Sequence, residues 1–230
     1  MNSKLASVFV TGGTGYLGRP LIAQLLRAGH QVRAVARSES IGKLPQGCHA
    51  IAGNALDADT YRDHIEPART FVQLVGVAHP SPSKANEFRD IDLASAGGAI
   101  QAARQSGVEH FVYVSVAHPA PMMKSYIEVR VQCEQMIRES GMNATILRPW
   151  YVLGPGHRWP YTLLPMYWLM ELVPATRAGA RRLGLVTHRQ MVLALYDAIA
   201  HPAKGVRIVE VPEIRSGSGF SAGTKVISPA

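Results

Sequence analysis

Three glycines at intervals of three, Gly12, Gly15 and Gly18, stand in the run Thr11-Gly12-Gly13-Thr14-Gly15-Tyr16-Leu17-Gly18. Before them lies a short β-branched and aromatic run, Ser7-Val8-Phe9-Val10. After them come apolar residues at helical spacing, Leu17, Leu21 and Leu25 on one row with Ile22 and Leu26 beside it, which predicts an amphipathic helix. Pro20 falls near the first turn, where a missing N–H costs little, and Gly29 is placed to end the helix. A glycine loop between a strand and a helix has a specific use. The first glycine permits a sharp turn, the second lets a phosphate approach the backbone, and the third lets helix and strand pack closely. The helix start then offers free N–H groups and a partial positive charge to an anion. A second strand, 31–36, follows at βαβ length. The loop therefore predicts a dinucleotide site in which Gly12, Thr14, Gly15, Tyr16, Leu17 and Gly18 hold the pyrophosphate.

The end of that second strand discriminates between the two nicotinamide cofactors. An Asp or Glu there bonds the adenosine ribose and repels a 2′-phosphate, but this chain reads Arg33-Ala34-Val35-Ala36-Arg37-Ser38. Arg37 is suited to clamp a 2′-phosphate and Ser38 to add a hydrogen bond. Glu39 is expected to lie too far along to matter, and Arg33 to be an exposed strand residue. NADP(H) is therefore expected in preference to NAD(H).

The remainder alternates in the same way. Strands are expected at 48–52, 71–77, 110–116 and 144–147, and helices at 91–106 and 126–140, each closed by a glycine, Gly107 and Gly141. Such alternation predicts an α/β fold: a Rossmann-type doubly wound parallel sheet with helices on both faces and a small C-terminal lid region. After Gly154 the pattern breaks into Pro155, Pro160, Pro165 and Pro174 within an apolar, aromatic stretch. A short strand at 183–186, a helix capped by Thr187 and running to about Ala200, and a strand at 206–211 follow. The expected organisation is one domain over 1–214, with 155–186 as a lid or substrate-side insert, and a flexible Gly/Ser-rich tail over 215–230.

Composition narrows the function classes. The net charge is +8, from 24 basic and 16 acidic residues, which favours anionic ligands. No zinc-finger spacing and no basic stripe interleaved with aromatics is present, so nucleic acid is not an expected partner. Arg177, Arg181 and Arg182 read as a solvated loop. No apolar run reaches the ~20 residues a spanning helix needs. The first ten residues lack the regions of a signal peptide, so a cytoplasmic protein is expected. Cys48 and Cys133 fit no metal or redox spacing and read as packed free thiols.

With Ala34-Val-Ala-Arg37, Ala52-Gly-Asn-Ala-Leu-Asp57, Phe111-Val-Tyr-Val-Ser115, Tyr126-x-x-x-Arg130 and Leu147-Arg-Pro-Trp-Tyr-Val-Leu-Gly154 added to the glycine loop, the chain resembles an atypical member of the short-chain dehydrogenase/reductase superfamily, of the NAD(P)H-binding, NmrA-like kind. It is also similar to the Rossmann accessory subunit of respiratory complex I. The resemblance covers about 8–211. It implies that Asn54 and Ala55 contact adenine, that Val75-Gly76-Val77 passes beneath the adenosine ribose, and that Pro149 and 150–152, including Tyr151, approach the nicotinamide.

It also implies catalytic roles: Ser115 polarises the reacting oxygen, Tyr126 transfers a proton, and residue 130 tunes the tyrosine and holds cofactor. The superfamily has Lys at this last position and this chain has Arg130. One helical turn separates it from Tyr126, so the two share a face. A guanidinium supplies charge but not the geometry of an ammonium. His79, His118 and His157 fall near loop ends expected to face the cleft. Tyr161, Leu164, Met166, Tyr167, Trp168 and Met170 fall where relatives build a substrate lid, which points to an apolar or aromatic small molecule, or, with the following arginines, to peripheral contact with an acidic membrane. Three functional readings stand at this stage: an NADP(H)-dependent oxidoreductase, a non-catalytic NAD(P)H sensor or structural subunit, and an isomerase or epimerase using the same tyrosine. The sequence names neither substrate nor oligomeric state.

Overall fold

The structure is a computed structural model that describes residues 5–78, 80–154, 179 and 181–217. Its main layer is a seven-stranded sheet built from β1 (Ser7–Thr11), β2 (Gln31–Ala36), β3 (His49–Ala52), β4 (Thr70–Gln73), β5 (His110–Val114), β6 (Asn143–Arg148) and a late strand, Val206–Glu210. The order is β3-β2-β1-β4-β5-β6 followed by that late strand, and every pairing is parallel. The expected Rossmann-type α/β architecture is therefore what the chain adopts. The order in which successive strands are added reverses between β1 and β4, so the crevice at their C-terminal ends is the place where such a sheet receives a ligand. A second, two-stranded parallel sheet joins β7 (Tyr151–Leu153) to β8 (Leu185–Thr187). The late strand is thus β9.

Both faces of the main sheet are covered. Helix α1 (Gly18–Arg27) buries Leu21, Ile22 and Leu25, and Gly29 leaves it with φ +86. On this face Val8, Val10, Val72, Val112 and Leu147 pack with α1 and with the helix His188–Ala200. On the other face Phe9, Phe71 and Phe111 pack with Tyr61, Ile65 and two further helices. The first of these begins as a single turn, α2 (Ala85–Glu87), passes through a π-helical stretch at Phe88–Leu93 and continues as α3 (Ala94–Gln105). The second is α4 (Lys124–Glu139), and Gly107 and Gly141 leave α3 and α4 in the left-handed region as expected. The helix His188–Ala200, α5, starts with a capping box between Thr187 and Gln190, two orphan N–H groups being satisfied at once.

Four expectations change at their boundaries, each for a local reason. The fourth strand ends at Gln73 rather than at Val77, because the Val77 N–H leaves the ladder and donates to Asp92 Oδ2 at 2.9 Å. The helix expected from residue 91 is π-wound over its first turn, and that widening is where the buried Asp92 sits; such turns recur at functional sites. The fifth strand closes at Val114, where the ladder gives way to single bonds from Ser115 N to Leu147 O (2.7 Å) and from Ala117 N to Pro149 O (2.9 Å). Arg215 and Ser216, which the sequence places in the tail, belong to α6 (Val211–Ser216), which has its own capping box at Glu210 and Glu213. Arg215 is anchored there by donating to Leu185 O at 2.8 Å. Residues 155–178, with the expected lid residues Tyr161, Leu164, Met166, Tyr167, Trp168 and Met170, lie outside the described residues, as do His79, His157, Arg177 and 218–230. Among the described residues no helix is long and apolar enough to cross a membrane.

Candidate dinucleotide and proton-transfer site

The loop between β1 and α1 is shaped by what its glycines avoid. Gly12 has φ +73, and a Cβ there would lie 2.8 Å from the Leu74 carbonyl carbon. Gly18 is buried at the start of α1, and a Cβ there would run into the Gly12 and Gly13 backbone. Gly15 folds back so that its N–H donates to Gly12 O at 3.0 Å. Helix α1 has no side-chain cap and no acidic residue in its first turn. Its opening N–H groups therefore keep their affinity for an anion. Thr11, buried below the loop, is bonded to Gln73, whose amide donates to Ser95 Oγ at 3.0 Å. This cradle fits a pyrophosphate.

Thr14, Gly15 and Tyr16 line an open groove of about 710 Å³, together with Arg19, Lys43 and His188. Arg19, Lys43 and His188 were not among the residues expected to bind. Arg19 directly follows the third glycine, a placement the sequence displayed, whereas His188 reaches the loop from far along the chain. His188 Nε2 lies 2.9 Å from Tyr16 O, and the rings meet edge-on with centroids 4.4 Å apart. A carbonyl only accepts, so Nε2 carries the proton. The Tyr16 hydroxyl packs against Gly154, where a Cβ would collide with it. Leu17 is half-buried against the α1–α5 core.

At the end of β2, Arg37 and Ser38 are exposed. A 3-10 turn over Ser38–Lys43 curls Glu39 back, so that Arg37 Nε pairs with its carboxylate at 3.2 Å. Glu39, expected to lie too far along to serve the ribose, is thus the neighbour of the guanidinium assigned to a 2′-phosphate. Asn54 is exposed and its Oδ1 accepts from Leu56 N at 3.1 Å, leaving the amide N–H groups as its donors, with Ala55 half-buried beside it. Val75 and Gly76 are half-buried. Pro149 is buried and Tyr151 half-buried, its ring edge-on to Trp150 at 5.5 Å.

The three residues assigned to catalysis fall into two buried networks. Arg130 is 6% exposed and pairs with Asp92. It also donates to Tyr113 Oη at 3.0 Å and to Val114 O at 2.8 Å. Its guanidinium lies where a Cβ on Gly76 would be. Asp92, holding Val77 N on one oxygen and Arg130 on the other, ties the loop after β4 to α4. Burial raises the Asp92 pKa and Arg130 pulls it back. Burial opposes the charge on Arg130, but Tyr113, Tyr126 and Asp92 outweigh it and keep the group protonated. The Tyr126 ring packs between Phe88, with centroids 5.0 Å apart, and the Arg130 guanidinium, 5.1 Å from the ring centre. Burial raises the Tyr126 pKa and Arg130 opposes that rise.

Ser115 belongs to the second network. Its hydroxyl donates to Glu134 Oε1 at 2.6 Å. Arg148 embraces the same carboxylate through Nε (2.9 Å) and Nη2, while its Nη1 donates to Glu210 on β9 at 3.0 Å. Arg138 adds a contact to Glu134 Oε2 at 3.3 Å, and His118 Nε2 stands 3.6 Å from Oε1. Burial works against charge on Glu134, yet the bonds from Arg148 and Ser115 more than offset it and hold its pKa below the usual range. The His118 pKa is lowered by burial and by Arg148. Sequence reading missed Asp92, Glu134 and Arg148. Among the described residues no cluster of His, Cys, Asp and Glu is placed to hold a metal ion.

A glycine cradle at the switch point of a parallel sheet defines a dinucleotide-binding protein of the Rossmann type. The chain belongs to the NAD(P)H-binding family, whose model matches residues 12–159. It is 26% identical over 168 residues to a 4-hydroxy-2-methyl-3-oxo-4-farnesyl-3,4-dihydroquinoline-1-oxide ketoreductase of Stigmatella aurantiaca, covering 64% of this chain and 50% of that one. It is 29% identical over 158 residues to the chloroplastic divinyl chlorophyllide a 8-vinyl-reductase of Zea mays, covering 62% and 39%. A photosystem II assembly factor of Cyanophora paradoxa matches at 25% over 150 residues, covering 62% and 44%. The chain thus spans about half or less of the length of these relatives. Among solved structures, the Bordetella bronchiseptica enzyme WbmH in complex with NAD+ superposes with a TM-score of 0.67 at 17% identity, over 90% of this chain and 75% of that one.

Proposed function

We propose that the protein is an NADP(H)-dependent oxidoreductase acting on a carbonyl or alcohol group of a small molecule, with Tyr126 as the proton-transferring group. The observation that carries this reading is the half-buried Tyr126 phenol packed against a buried, charged Arg130 on the same face of α4. The glycine cradle, with Gly12, Thr14, Gly15, Tyr16, Leu17 and Gly18, holds the pyrophosphate. Arg37 and Ser38, helped by Arg19 and Lys43, meet the 2′-phosphate, with Glu39 as the competitor to be displaced. Asn54 and Ala55 meet adenine, Val75 and Gly76 the ribose, and Pro149 and Tyr151 the nicotinamide. A bound nicotinamide supplies or takes the hydride. The chain's own part is the proton. A phenol whose pKa is raised by burial stays protonated near neutral pH, which suits it to donate to an oxygen that gains charge in reduction. The names of the ketoreductase and vinyl-reductase relatives support the same direction. Preference for an apolar or aromatic substrate rests on the sequence of 159–173.

One observation favours a second reading. The two Nη groups of Arg130 are engaged by Asp92, Tyr113 and Val114, and Ser115 donates to Glu134. A site wired to its own protein in this way also suits a chain that keeps a dinucleotide without turning anything over, as a sensor or an assembly subunit.

Titration with NADPH and NADH, followed by turnover over a panel of carbonyl compounds, separates the readings. NADPH is expected to bind about tenfold more tightly, the worth of one charge-assisted contact. Tyr126→Phe is expected to lower turnover by roughly 100-fold or more while leaving NADPH affinity in place. Binding without turnover of any compound selects the second reading, and negligible binding of both dinucleotides removes both.

A further inference from the structure

We propose that His188 is a positioning residue of the dinucleotide site: from the start of α5 it holds the Tyr16–Leu17 peptide of the glycine loop, so that the Leu17 N–H stays turned toward the pyrophosphate. The inference rests on the reading of the glycine cradle as the pyrophosphate site.

A proline creates the need for this residue. In an α-helix each carbonyl accepts from the N–H four residues on. At the start of α1, Gly15 O accepts from Arg19 N at 3.2 Å and Leu17 O from Leu21 N at 3.1 Å. The helical donor for Tyr16 O, between them, would belong to residue 20, and Pro20 has no N–H. His188 Nε2, 2.9 Å from Tyr16 O, takes that place from 172 positions along the chain. The imidazole also meets the Tyr16 ring edge-on. Gly154 leaves room for both, since a Cβ there would run into the Tyr16 hydroxyl and the His188 Cβ.

His188 is itself held. Thr187, just before it, pairs with Leu153 across the second sheet and closes the capping box with Gln190. The Gln190 amide also donates to Arg215 O at 3.1 Å. The imidazole thus stands on a frame of β7, β8, α5 and α6 and not on the loop it touches.

The consequence runs through one planar group. Tyr16 O and the Leu17 N–H are the two ends of the same trans peptide and point in opposite directions. Leu17 has helical angles, φ −90 and ψ −30, so its N–H is among the opening donors of α1 that an anion meets. Holding the oxygen on His188 aims that N–H. Without this donor, Tyr16 O would gain a hydrogen bond by turning out to water, and the Leu17 N–H would turn away with it.

The test uses the full chain, with His188→Ala, His188→Phe, His188→Gln, Pro20→Ala, and Pro20→Ala combined with His188→Ala. Long-range 1H–15N NMR of the neutral imidazole, assigned by its loss in His188→Gln, reports the bond without any dinucleotide. The proton is expected on Nε2, and a proton on Nδ1 overturns the proposal. Affinities for NADPH and NADH are then measured by calorimetric titration at a temperature where melting shows each variant folded. In His188→Ala and His188→Phe both dinucleotides should bind roughly fivefold to tenfold more weakly, by the same factor, the worth of one hydrogen bond acting on a group the two share. His188→Gln keeps a donor and should stay within about threefold of the wild type. Pro20→Ala restores the helical N–H, so the combined variant should regain wild-type affinity to about twofold, a rescue that general destabilisation would not give. Loss confined to NADPH would place His188 on the 2′-phosphate instead and overturn the proposal. Unchanged affinity in His188→Ala, or no recovery in the combined variant, overturns it as well. If the wild type binds neither dinucleotide although Nε2 carries the proton, the cofactor reading falls and takes the positioning role with it.

Discussion

The two halves of the site are built from different materials. The phosphate half, from Thr11 to Gly18, is mostly backbone: glycines, a helix start without a cap, and an exposed Arg37–Glu39 pair. The half at the ends of β5 and β6 is mostly buried charge, with Asp92–Arg130 and Ser115–Glu134–Arg148–Glu210 filling the space between α4 and the sheet. The difference teaches where robustness lies. Backbone donors need only the right turn, and they fail when a Cβ is added. Buried ion pairs need every partner, and they fail when one is removed.

That contrast can be broken or sharpened by experiment. The largest effect is expected from Arg148→Ala, which leaves Glu134 and Glu210 without their shared cation; roughly 3–5 kcal/mol of stability should be lost in denaturant titration. A loss below about 1 kcal/mol would mean the network is decorative. Acid should act at the other end of the same strands, where β5 begins. His110 is buried between β5 and β6, bonded to Thr145 Oγ1 at 3.0 Å, and burial with Arg207 nearby pushes its pKa down to about 4. A base depressed in the folded state contributes stability above its unfolded value near 6.5, lost as pH falls toward 4. The loss at the acid end is on the order of 3 kcal/mol, and it should flatten in His110→Asn. In the phosphate half, Gly18→Ala forces a Cβ into the Gly12–Gly13 backbone. Melting should report about 1–3 kcal/mol, with NADPH affinity reduced at least tenfold as the cradle opens. The smallest change in stability belongs to Arg37→Ala: the exposed pair with Glu39 is worth under about 0.5 kcal/mol to folding. NADPH affinity should nevertheless fall about tenfold, with NADH unaffected. Equal weakening of both dinucleotides would remove Arg37 from the 2′-phosphate.

Legibility in the sequence follows the same division. The glycine loop, the strand–helix alternation and the Thr187 cap are local patterns, and local patterns are what a linear reading detects. The partners of Ser115 and Arg130 are not local. Asp92 is 38 residues from Arg130 and Glu210 is 62 from Arg148, and nothing in the spacing announces either pair. Arg130 reads in the sequence as a lysine substitute because Tyr126 lies one turn away. Nothing local signals the π-wound turn that brings Asp92 to meet it, or the 3-10 turn that returns Glu39 to Arg37.

Helix α4 carries Tyr126, Arg130, Glu134 and Arg138 at steps of four. Tyr126, its cationic neighbour, the carboxylate behind Ser115 and a second arginine on that carboxylate therefore form one row that drifts by only about 40° at each step. A single residue inserted between Tyr126 and Glu134 would turn everything after it by about 100° and dephase the row at a stroke, though each side chain would still be present. The helix thus works as a ruler. Its graduation, as much as the identity of any residue on it, is what a recombined or redesigned version of this chain would have to preserve.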